Sequence, residues 1–322
     1  MHLGKSPLGS MLAAMLLSAA LLAAQRGGPP LPEAARPAQS LIREGKLDEA
    51  LAVYKKALET APDSLPLRNA LGTLLDLMGR GAEAHAEFAR TIELAATPEA
   101  KSQQQRAMAM SYAFAGDCAN TVRYEQMAIS YWVSREKEEP ANAFYQEGEM
   151  ADEAARVCID AGDLDAAAKW YKAGHDYGLK EPDIAPVRRD LWEFRWEHAQ
   201  ARIAARRGNK AAAARHVAAA QAILDKDDQL AHGGGRGESQ AQFMPYLTGY
   251  VALYTGAYKT ALDDLLKGNQ NDPFYQCLLG KTYEKLGEKD KAMECYRKAA
   301  ATTAHNPPAA IARPFARKKL GG

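Results

Sequence analysis

The side chains best suited to metal binding or nucleophilic attack in this 322-residue chain are seven histidines and four cysteines. The histidines are His2, His85, His175, His198, His216, His232 and His305, and they are scattered. None stands at metal-ligand spacing from another His or from a Cys. A zinc-protease site needs two histidines one helical turn apart with a glutamate between them, and no H-E-x-x-H occurs. C-x-x-C, the nucleophile elbow, the P-loop and the EF-hand loop are also absent from the sequence. The run GGGRG at 233–237 follows no strand pattern and lacks the Lys-Ser/Thr close of a phosphate loop, so it reads as a flexible linker. Carboxylates are plentiful but distributed as on solvated helices, and no catalytic pair stands out. The residues therefore point to binding, with no catalytic residue, no metal and no cofactor expected.

Composition narrows the class of partner. Lys plus Arg is 41 and Asp plus Glu is 40, a net charge of +1. A chain this close to neutral lacks the basic excess that displaces counterions from nucleic acid, so no nucleic-acid partner is expected. Hydrophobic residues at 47% and charged residues at 25% are the balance of a folded chain. Four cysteines are too few for a disulfide-built scaffold.

Residues 1–24 carry Lys5, then an apolar run over 11–24 closed by small residues. Those 14 residues are shorter than the ~20 needed to span a bilayer as a helix, so the segment reads as a signal peptide, with an uncleaved N-terminal anchor as the alternative. The chain is accordingly expected to be exported, to a periplasm or the extracellular space. Residues 25–38 form a Pro-rich linker that runs into the first of a series of repeats, with Pro29, Pro30, Pro32 and Pro37. No later segment is long and apolar enough to cross a membrane.

A pattern recurs along the rest of the chain. Gly45, Gly79, Gly116, Gly162, Gly208, Gly256 and Gly287 each mark a helix-to-helix turn. Five residues after each comes alanine, except for Thr121. Seven residues before each stands a small residue, as at Gly72, Ala155 and Gly280. Nine after, five of seven positions are large and apolar or aromatic, as at Tyr54, Phe88 and Tyr296. Small residues at fixed points let two helix backbones approach, and the large residue one turn later fills the space beside them. Pro62, Pro98, Pro182, Pro273 and Pro307 stop one unit and start the next.

This pattern resembles the tetratricopeptide repeat, an antiparallel helix pair of about 34 residues. The best copies are GKLDEALAVYKKALETAPDS (45–64) and LLGKTYEKLGEKDKAMECYRKAAA (278–301). The resemblance covers most of 31–307 and implies an all-α, right-handed α-solenoid of about seven helix-pair repeats, with residues 308–322 as a C-terminal capping helix and basic tail. The marker glycines are spaced 34, 37, 46, 46, 48 and 31 apart, so the middle repeats carry extra residues, as longer helices or longer turns.

The resemblance also implies a concave groove lined by the first helix of each pair. Carried over residue by residue, with the marker glycine as anchor, the groove positions fall on Arg195, His198, Arg202 and Arg206 in repeat five. They fall on Phe243, Tyr246, Tyr250 and Tyr254 in repeat six, and on Lys281 and Lys285 in repeat seven. Repeat four presents Glu149, Asp152, Arg156, Ile159 and Asp160, which changes the sign of the groove. A basic stripe beside an aromatic one suits an extended protein or peptide segment bearing carboxylates and apolar side chains. The plainer reading pairs Arg195, Arg202 and Arg206 with Glu193, Glu197 or Asp190 and packs the tyrosines against a neighbouring repeat. The antiparallel helices implied by the resemblance also make Cys118 and Cys158 neighbours, either as a disulfide or as two buried thiols. The expected function is a non-catalytic scaffold or adaptor. A structural or assembly factor of the cell envelope, acting through the convex face and the basic tail, and a glycan or small-ligand binder are the alternatives.

Overall fold

A computed structural model describes residues 31–233 and 239–321. Residues 1–30, which hold the expected signal segment (1–24) and the start of the expected linker, and the core of the 233–237 glycine run (234–237) lie outside the described residues. Among the described residues there is no strand. Seven helix pairs follow one another: α1 (Pro37–Arg43) and α2 (Leu47–Thr60); α3 (Leu65–Met78) and α4 (Gly81–Leu94); α5 (Pro98–Phe114) and α6 (Cys118–Val133); α7 (Pro140–Ala161) and α8 (Leu164–Gly178); α9 (Pro186–Arg206) and α10 (Lys210–Lys226); α12 (Met244–Thr255) and α13 (Tyr258–Leu265); α14 (Pro273–Lys285) and α15 (Lys289–Ala300). A short α11 (Asp228–His232) and a 3-10 turn (Gln240–Phe243) sit between the fifth and sixth pairs, and α16 (Pro307–Lys319) ends the chain. The fold is an all-α stack of helix pairs of the tetratricopeptide type.

The chain forms two compact units, one up to Leu71 and one from Gly72 onward, with α3 running through the boundary. In the first, Ala38, Ala50, Tyr54, Ala57, Leu67 and Leu71 are buried. The second holds the remaining pairs and the clefts between them.

All seven marker glycines have positive φ, from 69° to 94°. That left-handed backbone ends one helix and turns the chain into the next, and a Cβ there costs about 1–2 kcal/mol. A second set of glycines serves close approach. A Cβ on Gly72 would stand 2.8 Å from the Phe88 ring, one on Gly249 would stand 2.6 Å from Leu265, and one on Gly280 would overlap Tyr296. The small residue before each turn therefore makes room for the large residue after it.

The extra residues of the middle repeats lengthen their first helices. α7 has 22 residues and α9 has 21, against 14 in α2. Trp192 on α9 is fully buried against α7 and α8, in a slot that exists because Gly148 and Gly178 carry no side chain. A disulfide joins Cys118, at the start of α6, to Cys158, near the end of α7, with Cα atoms 4.8 Å apart. Cys277 and Cys295 are free and buried.

The last helix does more than cap. α16 packs on α14 and α15, as a terminal cap would, and also returns to α5 and α7. Three of its basic residues find acceptors on α3 and α14. Arg313 Nε and Arg317 Nη1 donate to the Leu77 carbonyl at 2.8 and 3.2 Å, and Lys319 Nζ pairs with Glu284 at 2.8 Å. Arg313 is thus buried and Arg317 half-buried within the chain, while Lys318 and Lys319 remain exposed.

Candidate functional site

The long first helices α7 and α9 and the shorter α12 and α14 enclose a cleft of about 410 Å³. α7 and α9 each contribute side chains about one turn apart, which places them on a single face. From α7 come Glu149, Asp152, Glu153 and Arg156; from α9 come Phe194, Arg195, His198 and Arg202; from α12 and α14 come Tyr246, Phe274 and Tyr275. Phe243 closes the rim from the 3-10 turn, and Pro307 and Pro308 of α16 form the opposite wall. The sequence-predicted residues Arg195, His198, Arg202, Phe243 and Tyr246 meet here.

Several of them are wall, not open surface. Arg202 is only 5% exposed. Its Nη2 donates to the Tyr171 hydroxyl at 2.7 Å and its Nη1 to the Tyr246 hydroxyl at 3.2 Å, with the guanidinium over both rings. Burial pushes the Tyr171 phenol up to about 12, so it stays neutral and accepts. Tyr250 is fully buried and accepts from Arg206 Nη1 at 3.2 Å. Arg206 also faces Asp160 at 3.6 Å and lies over the Tyr254 ring. Arg195 pairs with Glu149 and stacks over Trp192. The basic stripe of α9 is therefore partly neutralised, by carboxylates of α7 rather than by Glu193, Glu197 or Asp190.

His198 is buried and stacked on Tyr246, with ring centroids 5.3 Å apart. Burial, together with Arg202 and Arg156, pushes its pKa well below the ordinary range, so the ring is neutral. Its Nε2 is buried without a hydrogen-bond partner. A neutral ring so placed can accept a hydrogen bond, or donate one in the other tautomer.

Arg156 is the cation left over. It faces Phe274 across 5.7 Å, and no carboxylate stands within ion-pair distance among the described residues. Its Nε is buried without a partner. The acids of the cleft are already paired, used as a helix cap, or held partly protonated by burial. Glu153 pairs with Arg106 at 2.9 Å, Asp272 accepts the first backbone N–H groups of α14, and burial pushes the Asp152 carboxyl up to about 7. The cleft therefore presents one guanidinium without an ion pair, an imidazole with an unpartnered Nε2 and aromatic walls.

A second, smaller cleft of about 260 Å³ lies under α16, between the ends of α5 and α7 and the face of α14. Lys281 lines it, and its Nζ donates to the Tyr254 hydroxyl at 3.3 Å. Lys285 is exposed and lines neither cleft. Groove positions carried over from the repeat did not point to Tyr171, which comes from a second helix, or to Pro307 and Pro308, which come from beyond the repeats. One signal was available for the ion pairs. Arg195 and Glu149 stand 46 residues apart, the same as the spacing of Gly208 and Gly162, so opposite charges occupy equivalent places in successive repeats.

Among the described residues, no group of three His, Cys, Asp or Glu side chains is placed to hold a metal ion. Nor is any described helix long and apolar enough to cross a membrane.

Comparison with known proteins agrees with this architecture. Residues 41–107 match one tetratricopeptide-repeat model and residues 275–303 match another. No curated protein matches the chain. A tetratricopeptide repeat protein from Parabacteroides merdae, known from a crystal structure, is 16% identical. The alignment covers 83% of this chain and 91% of that one, with a TM-score of 0.43.

Proposed function

Because this chain is a tetratricopeptide-repeat protein, and such repeats generally serve as protein-interaction scaffolds, we propose that it is a non-catalytic adaptor that binds a peptide segment of a partner protein in the α7–α9–α12–α14 cleft. The observation that carries this reading is Arg156, a guanidinium with a buried, unpartnered Nε beside the unsatisfied His198 Nε2. Leaving such groups buried and unpaired costs about 1–3 kcal/mol each, and a carboxylate or backbone carbonyl from a ligand relieves it. The walls of Phe243, Tyr246 and Phe274 suit an apolar side chain beside that acceptor. The segment it takes is therefore acidic and apolar together.

The chain is also proposed to act outside the cytoplasm. The apolar 11–24 segment behind Lys5 has the layout of an export signal, and the Cys118–Cys158 bond belongs to an oxidising compartment.

A displayed random-peptide library selected on the full chain tests the binding proposal. Enrichment of peptides that carry a carboxylate next to large apolar residues, and their loss on Arg156→Glu, is the expected result. Enriched peptides that ignore Arg156→Glu place the binding surface elsewhere.

A further inference from the structure

The first-helix face of the second unit already holds a helix. Following α15, residues 301–306 lead into α16, which lies against α5 and α7 as well as against α14 and α15. His305 begins the contact: its Nε2 stands 2.8 Å from Asp76 Oδ2, and its ring stacks on Phe114 at 4.8 Å with an interplanar angle of 10°. Arg313 continues it. Its Nε donates to the Leu77 carbonyl, and its Nη1 donates to the carbonyls of Ala300 and Thr302. The Leu77 and Ala300 carbonyls belong to the C-terminal turns of α3 and α15, where helix carbonyls lack internal partners and carry partial negative charge, and Thr302 lies just beyond α15. One side chain thus ties the second repeat to the seventh.

The fit is incomplete. Both clefts lie between α16 and the first helices, with Pro307 and Pro308 walling the larger one, and Ile311, Pro314 and Phe315 walling the smaller. A helix evolved only as a stacking cap would close that space with large side chains. The side chains α16 buries are instead mostly alanine: Ala309, Ala310, Ala312 and Ala316. They offer little apolar area per residue. Pro314 inside the helix removes a hydrogen bond and weakens it further. Arg313, the one buried charge, has carbonyls but no carboxylate against it, and burial pushes its pKa down to about 10. Ile311, Phe315 and Leu320 are only half-buried against the core of the last repeats. The contact is specific in its hydrogen bonds and fully buries no large apolar side chain of its own, the profile of an element that opens before the rest of the fold does.

We propose that α16 is a built-in occupant of the binding face, an autoinhibitory strap whose release uncovers the α3 end, α5 and α7 for a helical partner segment. The partner chemistry is set by the side chains that α16 itself presents: a short helix with small residues on one face, an arginine that caps the Leu77 carbonyl, and an aromatic or imidazole ring for the Phe114 shelf. This rests on the reading of the first-helix face as the binding surface, and concerns the part of that face that adjoins the Arg156 cleft, whose wall Pro307 and Pro308 form.

Two measurements on the full chain test it. Hydrogen exchange followed by mass spectrometry is expected to show residues 307–319 exchanging at least tenfold faster than 273–300 under native conditions. Exchange of both segments at one rate overturns the proposal, because α16 would then open only with the repeats. In the second measurement, a fluorescent synthetic peptide of residues 303–320 is titrated with wild type and with the variant His305→Ala, Arg313→Ala, Arg317→Ala. The variant, freed of its own strap, is expected to bind the peptide at least tenfold more tightly than wild type. Equal affinity, or no binding to a variant that keeps wild-type helicity, overturns it. Should the variant misfold, the exchange rates of the wild type decide. Failure of both measurements while library peptides still bind in an Arg156-dependent way removes the strap and leaves the cleft.

Discussion

Arg313 Nε lies 2.8 Å from the Leu77 carbonyl, a contact between residues 236 apart in sequence. With His305 and Asp76, separated by 229, it makes the last helix a bridge to the C-terminal end of α3. Stacked repeats otherwise contact only their neighbours, and their stability is a sum of local terms. This bridge adds a long-range contact to a fold of local ones.

The two arginines of the cleft should behave differently on substitution. Arg202→Ala leaves the buried hydroxyls of Tyr171 and Tyr246 without their donor and opens a space in the wall, so it should destabilise by about 2–4 kcal/mol in denaturant titration. Arg156→Ala removes no hydrogen bond and should stay within roughly 0.5–1 kcal/mol of wild type. Equal losses would show that Arg156 is a structural residue.

Two glycines should fail for different reasons. Gly162 has φ of 94° and free space where a Cβ would go, so Gly162→Ala should cost about 1–2 kcal/mol through backbone strain alone. Gly280→Ala drives a methyl into the Tyr296 ring and should cost about 1–3 kcal/mol through overpacking. Adding Tyr296→Leu should recover part of the second loss and none of the first, as read by thermal melts of the double variants.

Stability should fall as the pH rises from about 4.5 to about 7, in part because of Glu147. Both its carboxyl oxygens are buried without a partner, and burial, with Glu136 nearby, raises its pKa from 4.5 to about 7. Lys180 opposes the shift. Within that window the folded chain keeps a proton that the unfolded chain has released. The contribution is therefore complete below the unfolded value and lost as pH passes through the folded one. Glu147→Gln should flatten this part of the profile and raise stability at pH 8 by about 1–3 kcal/mol, with little change at pH 4. Parallel melting profiles for the two proteins across the window would contradict this.

Non-reducing peptide mapping should recover Cys118 linked to Cys158, with Cys277 and Cys295 as free thiols. The bond spans a sequence separation of 40, and a loop of that size is worth roughly 3–4 kcal/mol in the chain-entropy model. Cys118→Ser with Cys158→Ser should lose about that much, and a reductant should affect wild type but not the variant.

The repeat was legible because its rules are local. A turn that needs positive φ selects glycine, and a close helix approach selects a small residue with a large one at fixed separation, as in Gly72 with Phe88 and Gly249 with Leu265. The groove residues of α9 and α12 were legible as a helical stripe, but not their burial. The sequence left Arg202 and Tyr250 open between groove and packing, because their partners, Tyr171 and Arg206, come from other helices. The return of α16 to α5, α7 and the end of α3 was not legible. Neither Asp76 nor Leu77 carries a periodic signal, and a backbone carbonyl leaves no trace in the sequence.

Peptide binding in the cleft is tested most sharply by calorimetric titration of a library-selected acidic–apolar peptide into wild type, Arg156→Glu, and Lys289→Glu as a control on the exposed face of α15. At least a tenfold loss of affinity, about 1.4 kcal/mol, is expected for Arg156→Glu and none for Lys289→Glu. Equal affinity for wild type and Arg156→Glu would contradict a binding site built around Arg156.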